Sequence, residues 1–272
     1  MTRTARGTIA ALLVAAPALI GLGWSAAVAW SSGRIATVLS DGAVWRGLGW
    51  SIWIAAAATL LATAGAVLVA ALFRSNDPLH RWGRALAIAP LPIPHLVAAA
   101  VGVMILSQSG LLARAAFGVG LIDQPGAMPA LVYDRAGTGL IVTLAWKEFP
   151  FLALLAISLL ATRGAAFEEA ARTLGASPRA VFRHATWPVL WRGLLPGAAA
   201  VFIFAAGSYE TALLLAPSNP LALPLLIAQR HDDPAIARRP DADILVLLAF
   251  LLSALAVAAH EWARSRAERL DR

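Results

Sequence analysis

Glu168-Glu169-Ala170-Ala171-Arg172-Thr173-Leu174-Gly175-Ala176-Ser177-Pro178-Arg179-Ala180-Val181-Phe182-Arg183-His184-Ala185-Thr186-Trp187-Pro188 is the one place where this chain becomes long, charged and patterned at once, between two hydrophobic segments. Phe167, Ala170, Ala171 and Leu174 recur at i, i+3, i+4 and i+7, a single helical stripe, while Glu168, Glu169, Arg172 and Thr173 face elsewhere. Gly175 supplies the stop, since a chain that reverses within a residue or two needs a position with positive φ. Ser177 then caps a second helix, and Pro178 takes its first position, where the missing N–H costs nothing. Val181, Phe182 and Ala185 form the apolar side of that helix, which the sequence predicts to end at Pro188. The expectation is a helix, a glycine turn and a helix, lying between membrane spans.

Composition sets the surroundings of this hairpin. The chain has 272 residues, 60% of them hydrophobic and only 14% charged, which is far from the soluble average and marks an integral membrane protein. The formal charge of +7 raises the question of nucleic acid. Every basic residue but Lys147 is an Arg, however, and these stand in small groups at the ends of apolar runs, a distribution that reads as topology and not as a nucleic-acid surface. With no cysteine, disulfides and thiolate metal sites are excluded.

Six runs reach the roughly 20 residues that cross a hydrocarbon core about 30 Å thick: 8–30, 47–73, 85–106, 139–161, 194–215 and 243–262. Ala27-Val28-Ala29 resembles a signal cleavage site, but the apolar run before it is long for a signal peptide, so it is read as the first span. Pro90, Pro92 and Pro94 forbid a straight start to the third span, and a broken membrane helix is tolerated only where protein or water satisfies the freed carbonyls. Residues 107–138 read as an outward loop with a short interfacial helix over 111–117. Residues 216–241 read as a second outer loop, and 162–193 as the inner one. The whole, 1–272, reads as one domain.

Arginine counts orient the spans. Fourteen Arg fall on the side of the two termini and of the hairpin, and seven on the other. The positive-inside rule therefore predicts cytoplasmic termini and a cytoplasmic hairpin.

The hairpin resembles the signature loop of ABC importer permeases. Glu169-Ala170-Ala171 is followed by three residues, Gly175, nine residues, Ala185, one residue, Trp187 and Pro188, with Ala185 and Trp187 standing where Ile and Leu are usual. The resemblance implies an all-α integral membrane fold of six transmembrane helices, the type I importer (MetI-like) fold, in the cytoplasmic (inner) membrane. It also implies that Glu169, Ala170, Ala171, Gly175, Ala176, Ser177, Pro178 and Pro188 form a coupling loop that docks into a groove on an ATPase subunit. The implied partners are an ABC ATPase dimer, a second permease as homo- or heterodimer, an extracytoplasmic solute-binding protein and membrane lipid. Trp146-Lys147-Glu148-Phe149-Pro150, Gly207-Ser208-Tyr209-Glu210, Leu213-Leu214-Leu215 and Pro220 are similar to the polyamine and thiamine-like branch of these permeases. Related permeases carry iron complexes, phosphonates or oxyanions.

Other chemistries find no support in the residues. A Walker A loop needs Lys beside Ser or Thr, whereas Lys147 is followed by Glu148, so ATP is expected on a partner subunit and no cofactor on this chain. The five His are scattered without metal-ligand spacing or a paired nucleophile, and His231-Asp232-Asp233 reads as a solvated loop. A secondary transporter would be expected to show related halves with interrupted helices in corresponding positions, and the proline break has no clear counterpart. Lys147, Glu148 and Glu210 are candidates for the solute path, because charge in or near a span is expensive. Lys147 and Glu148 are adjacent, hence about 100° apart on a helix, and do not neutralise each other by position alone. His95 reads as a hydrogen-bonded packing residue.

Overall fold

The computed structural model describes residues 3–73 and 77–270. Helix α1 (Arg3–Ser32) is followed by the short α2 (Ile35–Ser40), and Asp41 then caps α3 (Gly42–Leu72) by accepting from the Ala43 N–H at 2.8 Å. Asp77 caps α4 (Pro78–Ile88) through the His80 N–H at 3.0 Å, with Pro78 at the start of the helix. The three prolines keep 89–94 out of helix, so α5 (His95–Leu106) starts only after Pro94. The expected short helix follows as α6 (Leu111–Gly118). Next comes α7 (Thr138–Leu159), entered from Gly137 at a φ of +75°, with Asp134 in the preceding turn accepting from the Thr138 N–H at 2.8 Å.

A π turn over Leu160–Gly164 carries α7 into α8 (Ala165–Thr173) without a break. Beyond Gly175, α9 (Pro178–Val181) passes through a second π turn, Phe182–Thr186, into α10 (Trp187–Ala206). Each arm of the hairpin is therefore a direct extension of a long apolar helix. The remaining elements are α11 (Tyr209–Leu215), α12 (Leu223–His231) and α13 (Pro240–Leu270).

Four expectations are corrected here. The run 85–106 is not one span: the prolines end α4 at Ile88 and start α5 at His95, and the stretch long and apolar enough to cross runs from His95 to Gly118, taking in the short helix expected in the following loop. The second arm does not end at Pro188: the π turn loosens the backbone immediately before the proline, where an α-helix would meet the ring, and the rod continues to Ala206. The run 194–215 is not one helix, because the chain breaks at Gly207 and Ser208, leaving Glu210 in the first turn of α11. The run 216–241, expected as an outer loop, contains α12, whose Leu223 and Leu226 are buried and whose Leu223 N–H donates to Ser51 Oγ at 2.8 Å.

Among the described residues, six stretches are long and apolar enough to cross a membrane: Leu13–Ser32, Gly42–Leu72, His95–Gly118, Thr138–Thr162, Pro178–Ala206 and Ile236–Trp262. Half of the α7 stretch is buried within the chain, against 11% of the first and 17% of the last, so α7 is the central helix. Helix α3 packs along it through Ala55, Ala58, Ala62, Ala66 and Ala70, each at most 3% exposed. Small side chains let two helices approach closely, which matters in lipid because apolar burial there supplies little drive to associate. Helices α1 and α13 pair at the periphery.

Candidate functional site

Three polar places stand out against this apolar frame, and the first is the hairpin. Gly175 has a φ of +78°, the Gly175 N–H donates to Arg172 O at 2.9 Å, and the Ala176 N–H donates to Ala171 O at 3.0 Å. That pair of bonds is a Schellman stop, which satisfies carbonyls the end of α8 would leave bare. Ser177 accepts from the Ala180 N–H at 3.4 Å and Pro178 opens α9, as the sequence predicts.

The faces of α8 are disposed in a way periodicity does not reveal. Phe167 and Leu174 are 62% and 87% exposed, and Glu169 and Ala170 are exposed beside them. Glu168 is instead buried at 8%, and its Oε1 accepts from the Thr186 hydroxyl at 2.6 Å. Arg172 Nη2 lies 3.7 Å from the other carboxylate oxygen. The apolar stripe thus looks outward and a carboxylate looks inward. Sequence reasoning missed Glu168 and Thr186 as a pair, since they are separated by 18 positions and joined only by the turn.

The second place is the proline break. Lys147, 6% exposed in the middle of α7, donates from Nζ to Leu91 O at 3.3 Å, a carbonyl in the segment that the prolines hold out of helix. Glu148 Oε1 lies 2.9 Å from His95 Nε2, the geometry in which an imidazole N–H donates to a carboxylate. Phe204 of α10 packs on the His95 ring at 4.5 Å between centroids. The adjacent Lys and Glu therefore take separate partners at the two sides of one broken helix. Glu210 is not brought to them: it is exposed on α11, and among the described residues no hydrogen bond or ion pair joins it to Lys147 or Glu148.

A third group ties the opposite end of the molecule, between residues too far apart in the chain for any local pattern to link them. Arg34 donates from Nε and Nη2 to the two carboxylate oxygens of Asp241 at 2.6 and 2.9 Å. Arg230 donates to Asp41 at 2.6 Å and lies 3.9 Å from Asp241. Hydrogen bonding to Asp241 raises the Arg34 guanidinium above its ordinary value. A raised base stabilises below its ordinary value and loses that contribution only as pH climbs through the raised one, so the Arg34 guanidinium stays charged across the physiological range.

Comparison with known proteins fits this architecture. The fold matches that of a bacterial ABC transporter involved in the import of the acidic polysaccharide alginate, at a TM-score of 0.74 over 96% of this chain and 93% of that one, with 16% identity. A second structure, a bacterial alginate ABC transporter in complex with an alginate pentasaccharide-bound periplasmic protein, matches at a TM-score of 0.72, 16% identity and 94% and 91% coverage. The family model described as binding-protein-dependent transport system inner membrane component matches residues 62–268, and the chain belongs to that family. Its sequence relatives include the molybdenum transport system permease protein ModB of Mycobacterium tuberculosis, 30% identical over 67% of each chain. They also include a probable sulfate transport system permease protein of Chlorokybus atmophyticus, 28% identical over 62% of this chain and 56% of that one. This is a multi-pass permease of the ABC importer type, with the MetI-like fold.

Proposed function

We propose that this chain forms the solute path of an inner-membrane oxyanion importer and couples it, through the hairpin, to ATP hydrolysis on a separate ATPase dimer. The observation that carries the coupling is the outward stripe of Phe167, Ala170 and Leu174 beside Glu169, on an arm continuous with α7. An apolar stripe left to solvent beyond the end of a membrane helix is a surface awaiting a partner. The residues of that contact are Glu169, Ala170 and Ala171, held at their angle by Gly175, Ala176, Ser177 and Pro178, with Pro188 at the root. A second permease and an extracytoplasmic solute-binding protein complete the assembly. This chain holds no cofactor of its own, and ATP sits on the partner.

The topology consistent with this places both termini and the hairpin in the cytoplasm. Single cysteines at Ser177 and Asp123, introduced into a chain with none of its own, should label from opposite faces of the membrane. Labelling of both from one face would overturn the orientation.

For the solute, the sequence relatives are named for molybdenum and sulfate transport, so the oxyanion reading takes precedence over the polyamine or thiamine one. Uptake of molybdate and sulfate against spermidine and thiamine, in proteoliposomes reconstituted with an ATPase and a binding protein, decides between them. Uptake of spermidine or thiamine alone would reject the oxyanion reading. Glu210, exposed in the first turn of α11, tests the same point through charge. If Glu210 borders an anion's route, Glu210→Gln removes repulsion and leaves uptake equal or higher. If it borders a cation's route, the substitution lowers uptake, by about tenfold for each 1.4 kcal/mol lost.

A further inference from the structure

We propose that Glu168 and Thr186 form a clasp that positions the hairpin's outward face relative to the membrane helices, a role that rests on reading this hairpin as the ATPase contact. The need for such a device follows from the packing. Among the described residues, no apolar side chain of α8 is fully buried, so the first arm has little to hold it down. A cleft of about 400 Å³, bordered by Ala71, Arg172, Val181 and Thr186, separates the hairpin from the inner end of α3. Both arms also join the membrane through π turns, Leu160–Gly164 and Phe182–Thr186, which lie in contact. A π turn is looser than an α turn and recurs at functional sites.

Across this soft root runs the bond from the fully buried Thr186 hydroxyl to the buried Glu168 carboxylate, at 2.6 Å. Thr186 belongs to the second π turn, and Glu168 stands in the first turn of α8, just beyond the other. The bond therefore fixes one arm against the other at the level where both can swing. A charge-assisted hydrogen bond is short and directional, and the neighbour of Glu168 in sequence, Glu169, is carried outward by the same turn of helix. Glu168 and Thr186 are positioning residues: they need not touch the ATPase, but they set where Phe167, Glu169 and Leu174 meet it.

Two measurements test this. Spin labels at Leu174→Cys on the hairpin and Leu61→Cys on α3 both attach to exposed positions, and the distribution of distances between them can be read in nanodiscs without any ATPase. Thr186→Val, which keeps the shape and removes the donor, should broaden that distribution, while Thr186→Ser and Glu168→Gln, which keep a donor and an acceptor, should not. Glu168→Ala reads the same bond from the acceptor side should Thr186→Val fail to insert. A distribution as narrow in the variants lacking the bond as in wild type would overturn the clasp. In proteoliposomes with the ATPase, solute moved per ATP hydrolysed should fall about tenfold in Thr186→Val, the scale of one charged hydrogen bond, and recover in Thr186→Ser. A merely structural role would lower the yield of complex and leave that ratio unchanged, which would also overturn the proposal. Broadened distances in a protein whose wild type never stimulates the ATPase would keep the mechanical clasp and remove the ATPase reading instead.

Discussion

Gly175→Val is expected to insert normally in the membrane and yet lose solute-stimulated ATP hydrolysis by its partner. The φ of +78° at this position is one that a β-branched residue adopts only under strain, roughly 1–3 kcal/mol. No heavy atom lies within 4 Å of where a Cβ would sit, so the penalty comes from the backbone and not from a clash. The chain relieves it most cheaply by abandoning the Schellman bonds from Gly175 to Arg172 and from Ala176 to Ala171, which re-aims α9 against α8. Because both arms run directly into membrane helices, the turn moves while the spans stay. Gly175→Asn should retain much of the coupling, since Asn enters the left-handed region more readily than other residues. Glu169→Lys should fail by another route, placing the wrong charge on an exposed surface that still has its correct shape. Co-purification of the complex followed by an ATPase assay in liposomes reads all three variants. Wild-type coupling in Gly175→Val and Glu169→Lys together would remove the hairpin from the centre of the mechanism.

Lys147→Met should reduce the amount of folded, detergent-stable protein before it affects the solute. The ammonium is buried and donates to Leu91 O, a carbonyl that the prolines at 92 and 94 hold outside any helix. Methionine keeps the apolar length of the side chain and leaves that carbonyl without this donor, at a cost of about 1–3 kcal/mol. Thermal unfolding in detergent should show the loss. Glu148→Gln keeps a partner for His95 at the same place and should be milder. The alternative role, direct contact of Lys147 with solute, makes the opposite prediction: an unchanged melting temperature with transport abolished.

Much of this was legible because it depends on local chemistry. Gly175, Ser177 and Pro178 announce a stop and a start through their own backbone preferences, and the structure places them so. Pro90, Pro92 and Pro94 keep 89–94 out of helix as a close-set run, where the isolated Pro17, Pro150 and Pro196 sit inside helices. Pro188 misled for a related reason: the rule that proline ends a helix assumes an α turn before it, and a π turn lifts that restriction. The hairpin's faces were ambiguous because periodicity identifies a stripe without saying what it meets. Phe167 and Leu174 look like packing residues, and they are the exposed ones. Helix α12 was hidden because its burial depends on a distant glycine: a Cβ at Gly47 would stand 2.7 Å from Leu221 O, and no short-range signal links those positions. Glu168 with Thr186, and Arg34 with Asp241, are likewise products of tertiary closure.

The pairing of α1 with α13 carries a consequence for how the protein is made. Ser25 donates to Asp243 at 2.9 Å across 218 positions, and Arg34 meets Asp241 across 207. At roughly 5–20 residues per second of synthesis, the first helix waits about 10–40 s in the bilayer before its neighbour leaves the ribosome. It must therefore persist without α13, its main packing partner. Its helix is apolar enough for that, and little of it is covered even in the finished protein. Arg34 and Ser25 spend the interval without Asp241 and Asp243, at or near the end of the first span, so the closing of the molecule is the event that satisfies its earliest polar groups. A chain truncated before α13 would be inserted yet unfinished, with its first helix free to be recognised by the membrane's quality-control proteases.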